Sequence, residues 1–120
     1  VLKMTWSPDA EAVLRTRFGA DISGFRLVYD TEGCGCAVNG VPALWAVDGA
    51  MPGDVAAESG PLALWLDEQQ SVFFDDALRI DYRSDRQSFS LASDNQTYTT
   101  RLVIEDRRTQ IQRKEDEIHA

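Results

Sequence analysis

The residues best suited to chemistry stand together in LVYDTEGCGCAVNGV, positions 27 to 41, which holds both cysteines of the 120-residue chain, Cys34 and Cys36. A thiolate can attack an electrophile, cycle with a disulfide or ligate a metal, and its surroundings decide which. Gly33 and Gly35 flank Cys34, so the backbone there can bend sharply and approach a ligand with no Cβ in the way. Bent, the turn can aim both sulfurs at one metal or cluster, or turn one of them inward. Extended, it keeps the two Cα atoms near ~6.8 Å, the upper limit for an unstrained disulfide. The nearest charges are Asp30 and Glu32, which oppose thiolate formation, and the one histidine, His119, lies at the far end of the chain. This argues against a Cys/His nucleophile. A bound cation such as iron reverses the balance, because it stabilises the thiolate and tolerates neighbouring carboxylates. The bland alternative is a pair of small buried hydrophobes. Two glycines weigh against it, since glycine fills a core poorly and costs backbone entropy.

Two neighbours shape the same stretch. Asn39 and Gly40 form a hairpin-turn dipeptide, which would reverse the chain after the cysteines and hold them between two strands. Tyr29, just before the turn, could shield the sulfurs or sit in the core. Elsewhere, Asp75 and Asp76 are adjacent, and adjacent strand residues face opposite ways, so a solvated turn is expected rather than an acid/base pair. Trp45 and Trp65 lie in apolar runs and read as core. No glycine-rich phosphate loop, Cys-x-x-Cys motif or histidine metal pair occurs, which argues against nucleotide hydrolysis and a structural zinc finger.

Stepping along the chain, Ser7, Pro8 and Asp9 are a helix start, Ala10, Val13, Leu14 and Phe18 follow at helical spacing, and Gly19 is a stop. A helix over 8–18 is expected. Phe25, Leu27 and Tyr29 then alternate with Arg26, Val28 and Asp30, so a strand leads into the cysteine turn. PALWAV (42–47) and LALWLD (62–67) read as strands, and the stretch between them, rich in Gly and Pro, as a mobile connection. EQQSVFF suggests a short helical turn, LRIDY and SFSLAS a hairpin, and YTTRLVI a last strand. From Glu105 the composition becomes charged, with Ile104, Ile111 and Ile118 at steps of seven, too narrow a stripe for a coiled coil. The expected organisation is one domain over 1–104 and a charged tail over 105–120, helical or partly disordered.

Charge bounds the partners. Twelve basic and twenty acidic residues leave a net −8, which repels phosphate backbones and anionic lipid. Nucleic acid and membrane are not expected partners, and no apolar run approaches the ~18 residues of a membrane span. Two closely spaced cysteines suit a reducing compartment, so a cytoplasmic setting is expected.

The arrangement of an N-terminal helix, a strand ending in GCGC, then LRIDY, the aromatic strand SFSLAS and the Asn-containing turn SDNQ resembles the HesB-like, A-type iron-sulfur carrier family (the IscA and SufA group), and most closely its short YqkB-like branch. The likeness runs from about Met4 to Val103. It implies an α+β, mainly β fold with short strands in two small mixed sheets and one main N-terminal helix. It also implies a non-enzymatic protein that binds iron or an iron-sulfur cluster and passes it between assembly and recipient proteins. Members with the full pattern carry three cysteines, of which Cys34 matches the first; the later Cys-Gly-Cys is absent, since SDNQTYTTRL contains no cysteine, and Cys36 is a feature of the short branch. Cys34 and Cys36 are thus the implied metal ligands, with Gly33, Gly35, Tyr29 and Asn39 shaping the site. Two sulfurs per chain fall short of four-thiolate ligation, which a symmetric homodimer could complete. Two alternatives stand beside this: a fold kept as an interaction module with structural cysteines, and a dithiol redox protein.

Overall fold

Local chemistry at residues 7 to 19 sets the helix. In a computed structural model that describes residues 2–30 and 41–108, α1 (Pro8–Phe18) begins where the Ser7 hydroxyl accepts the Ala10 N–H at 3.0 Å, with proline in its first turn. It ends at Gly19, which adopts φ 105° and donates its N–H to the Arg15 carbonyl. Arg15 then reaches the Ala20 and Pro61 carbonyls, tying the helix end to the loop opposite.

Nine strands occur among the described residues: β1 (Lys3–Trp6), β2 (Gly24–Asp30), β3 (Val41–Val47), β4 (Asp54–Ala56), β5 (Leu64–Asp67), β6 (Ala77–Arg83), β7 (Ser88–Ala92), β8 (Thr97–Thr99) and β9 (Val103–Asp106). They form a four-stranded sheet in the order β1-β6-β7-β8 and a five-stranded sheet in the order β4-β5-β2-β3-β9. Both are mixed, because β1 runs parallel to β6, β5 to β2 and β9 to β3, while the other pairs are antiparallel. The fold is therefore α+β and mainly β, with two small mixed sheets and one α-helix among the described residues, as the resemblance implies.

Alternation explains the core. Phe25 and Leu27 of β2, Leu44 of β3, Leu64 and Leu66 of β5, Leu78 and Ile80 of β6 and Leu91 of β7 meet Ala10 and Leu14 of α1 in one buried cluster. Burying each large side chain contributes about 1.5–3 kcal/mol, so both sheets and the helix are held by one shared interior. The approach of β2 to β5 leaves no room at its start: a Cβ on Gly24 would lie 2.6 Å from Trp65 Cζ3 and 3.0 Å from the Ala63 carbonyl. Gly24→Ala is expected to destabilise the protein by about 1–3 kcal/mol, read as a lower urea midpoint with an unchanged slope.

Several expectations need correction. β1 has no counterpart among the expected strands, although Lys3, Met4, Thr5 and Trp6 alternate exposed and buried. The Gly- and Pro-rich stretch expected to be a mobile connection contains β4, paired with β5. The run YTTRLVI divides into β8 and β9, which belong to different sheets. β9 also continues through Glu105 and Asp106, two residues past the expected domain end at 104. The tail from 109 onward lies outside the described residues. Trp45 and Trp65, expected in the core, are half-buried and stand outside the core cluster, in register on either side of Arg26. There Arg107 stacks over Trp45 at 4.2 Å, and Arg26 makes a bidentate pair with Asp54, at 2.8–3.2 Å.

Candidate functional site

β2 and β3 pair antiparallel from Gly24↔Val47 to Asp30↔Val41. The segment joining them carries Cys34 and Cys36, so this ladder ends where the cysteine stretch leaves and returns. Gly33, Cys34, Gly35, Cys36 and Asn39 lie outside the described residues. Tyr29, the remaining member of the expected set, is described and marks the mouth of the ladder.

Tyr29 is held in an unusual way for a strand residue. β5 pairs with β2 only at Phe25↔Leu64 and Arg26↔Trp65, after which the chain departs into a 3₁₀ turn, Gln70–Phe73. The Gln70 amide then takes over as strand partner. Its Oε1 accepts the Tyr29 N–H at 3.0 Å and its Nε2 donates to the Tyr29 carbonyl at 3.3 Å, so the backbone groups are satisfied where pairing with β5 has stopped. The Tyr29 ring stacks on Phe73 at 4.5 Å between centroids and meets Phe74 edge-on at 6.0 Å. Phe73 is half exposed and Val72 is 79% exposed, which leaves an apolar surface beside the mouth.

Those aromatics connect the mouth to the turn between β7 and β8. Phe74 packs on Tyr98 at 5.5 Å, and the Tyr98 hydroxyl accepts the Asp75 N–H at 2.8 Å. Asp75 in turn accepts the Ser93 hydroxyl, while Ser93 Oγ accepts the Asn95 and Gln96 N–H groups at 3.1 and 3.2 Å. Asp75 lies in the expected partly exposed turn, ahead of β6, and is also the acceptor that closes the SDNQ turn. The Ser93 hydroxyl, with help from Asn95, holds its carboxyl below the usual carboxylate range, whereas burial pushes the Tyr98 phenol up. A depressed carboxyl contributes stability above its unfolded value, and that contribution is lost as pH falls through the folded value. Acidification below about pH 4 is therefore expected to lower the parent's urea midpoint more steeply than that of Ser93→Ala.

Sequence reasoning missed Gln70, Phe74 and Tyr98 as supports of this region. The FF pair was visible, but the contacts of Gln70 with Tyr29 span 41 positions and leave no local signal. Among the described residues, no three His, Cys, Asp or Glu side chains form a group able to hold a metal. Among them also, no helix is long and apolar enough to cross a membrane.

Comparison with known proteins agrees with this architecture. Residues 2–106 match the family model for iron-sulphur cluster biosynthesis. YqkB of Bacillus subtilis (strain 168) is 37% identical over 79 residues, covering 66% of this chain and 74% of that protein. Among solved structures, a Lactobacillus salivarius protein described as a candidate Fe-S biosynthesis protein superimposes with a TM-score of 0.70 at 22% identity, over 89% of this chain and 99% of that one. Escherichia coli SufA, described as involved in the biosynthesis of iron-sulfur clusters, gives a TM-score of 0.55 at 20% identity, over 75% and 77%. At such identities the two structures speak for the fold alone.

Proposed function

The chain belongs to the iron-sulphur cluster biosynthesis family, and on that premise we propose that it carries iron or an iron-sulfur cluster as cargo on the thiolates of Cys34 and Cys36. The cargo is accepted and handed on, not chemically transformed. One observation carries the reading: the only two cysteines of the chain fall in the segment joining β2 to β3, and among the described residues no three His, Cys, Asp or Glu side chains group to hold a metal. Any thiolate ligation by this chain therefore comes from that segment.

Iron in a cluster prefers soft thiolate ligands, and the usual shell has four of them. One chain supplies two, so a homodimer with the cysteine segments facing across a two-fold axis completes the set. Such a shared shell suits transfer, because separating the chains exposes the cargo to a recipient. Tyr29, braced by Gln70 and Phe73, would fix the direction in which the segment leaves the sheet, and the Phe73–Val72 surface adds apolar area for a second chain or a recipient. Gly33 and Gly35 permit the bend, and Asn39 the return.

Anaerobic addition of ferrous iron and sulfide tests this. A coloured species with about half a cluster per chain and the mass of a dimer is the expected result; a colourless monomer free of iron and sulfide contradicts it. A second reading has its own support. Relatives with the full pattern carry a Cys-Gly-Cys after the turn that SDNQ matches, whereas TYTTRL, which follows that turn here, contains no cysteine. A fold kept as an interaction module would look the same there, and it predicts the colourless outcome.

A further inference from the structure

The arginines of this acidic protein are distributed in an informative way. Nine lie among the described residues, and six of them, Arg15, Arg26, Arg79, Arg83, Arg107 and Arg108, pair with a carboxylate. The other three, Arg17, Arg86 and Arg101, have no ion pair among the described residues, and all three line one cavity of about 670 Å³. Twenty acidic residues stand against twelve basic ones in the chain, so a guanidinium without a carboxylate is the exception. Three converging on one hollow from distant parts of the sequence mark a local reversal of the protein's charge.

The cavity is built by elements that come together only in the fold. Arg17 stands near the end of α1, Arg86 in the turn between β6 and β7, and Arg101 between β8 and β9. The Leu102 N–H donates to the Phe89 carbonyl at 2.9 Å, which joins the two sheets beneath it. Phe89 and Leu102 are buried, and Ile104 is half-buried, so the base is apolar. Arg17 is already drawn over the Phe89 ring, 5.6 Å from its centroid. Gln87, which also lines the cavity, holds φ 52°, a conformation glycine would take without penalty. A smaller hollow of about 200 Å³ adjoins, sharing Arg86 and Ser88 and adding the hydroxyls of Ser90, Thr97 and Thr100.

We propose that this cavity binds a small organic polyanion, a di- or tricarboxylate or an organic phosphate, whose anionic oxygens are held by Arg17, Arg86 and Arg101 and whose carbon body rests on Val103 and Ile104. Guanidinium forks match carboxylate and phosphate oxygens equally well, and the volume is that of a small-molecule site. A large acidic partner is disfavoured because its whole surface would meet the field of a chain with net charge −8, whereas a compact anion meets the three guanidiniums first. The site does not depend on the cysteines or their cargo.

The test is calorimetric titration of the full, metal-free chain at low salt with citrate and, separately, with fructose 1,6-bisphosphate. Saturable binding of either is expected, and which of them binds identifies carboxylate or phosphate as the natural group. Arg86→Gln and Arg101→Gln, both at exposed positions, should each weaken it about tenfold or more. Arg79→Gln, whose parent residue pairs with Asp94 away from the cavity, should leave it unchanged. No binding of either anion overturns the proposal, as does binding that all three substitutions weaken alike. Binding of an acidic peptide in place of both small anions also overturns it.

Discussion

Cys34→Ser and Cys36→Ser are each expected to retain less than about a tenth of the iron and sulfide that the parent holds after anaerobic reconstitution, since serine is a poor ligand for cluster iron. Each substitution removes two sulfurs from a dimeric shell of four, so the two variants should fail alike and remain monomeric. The readings separate on a second measurement. If the cysteines are ligands, the thermal midpoint of the metal-free chain should move little, because a substitution away from core and caps usually shifts stability by about 0.5 kcal/mol or less. If they are structural, the midpoint falls and the parent itself takes up no iron. A redox role instead predicts a reversible Cys34–Cys36 disulfide, which thiol titration across a range of potentials would reveal.

The second large effect is expected at Arg26. Its guanidinium is 15% exposed and its partner Asp54 is fully shielded, with the Met51 N–H as a further donor at 2.9 Å. Burial alone would raise the Asp54 carboxyl, but Arg26 and Met51 outweigh it and hold the group below the usual carboxylate range. Arg26→Met strands that carboxylate, and the expected loss is about 3–5 kcal/mol. Replacing both residues, as in Arg26→Met with Asp54→Leu, should recover most of it, because the pair's attraction and its desolvation nearly cancel. The pH dependence follows from the same sign. In the parent, Asp54 contributes stability above its unfolded value and loses it as pH falls; in Arg26→Met the stranded carboxyl is stabilised by protonation, so the gap between the two proteins should narrow on acidification. A gap that stays constant with pH in urea titrations would place the effect in packing against Trp45 instead.

These two regions differ in how far sequence alone could describe them. α1 was legible because Ser7, Pro8 and Gly19 act locally, and the β6–β7 hairpin because Leu78, Ile80, Phe89 and Leu91 alternate cleanly. β1 and β4 are only four and three residues long and owe their conformation to partners far along the chain, so local pattern is weak there. The boundary between β8 and β9 was hidden because YTTRLVI reads as one apolar-polar run, although its two ends serve different sheets. Arg26 appeared as an ordinary polar alternate of a strand; its pairing with Asp54 across 28 positions belongs to the fold. Cysteine chemistry was visible by residue type, since two thiols among glycines are rare in a core. What braces the approach to them was not, because Gln70 imitates a strand partner only once β5 has turned away. The same holds for Arg17, Arg86 and Arg101, which nothing in their local sequence joins.

Ligation by Cys34 and Cys36 is the centre of this account, and the most direct measurement of it is alkylation of the native protein followed by intact-mass determination, before and after anaerobic loading with iron and sulfide. Both thiols should react in the metal-free chain, and both should be protected in the loaded one and freed again by chelation. Loaded protein that holds iron while both cysteines alkylate as fast as before would contradict the account, because the iron would then rest on something other than these two thiolates.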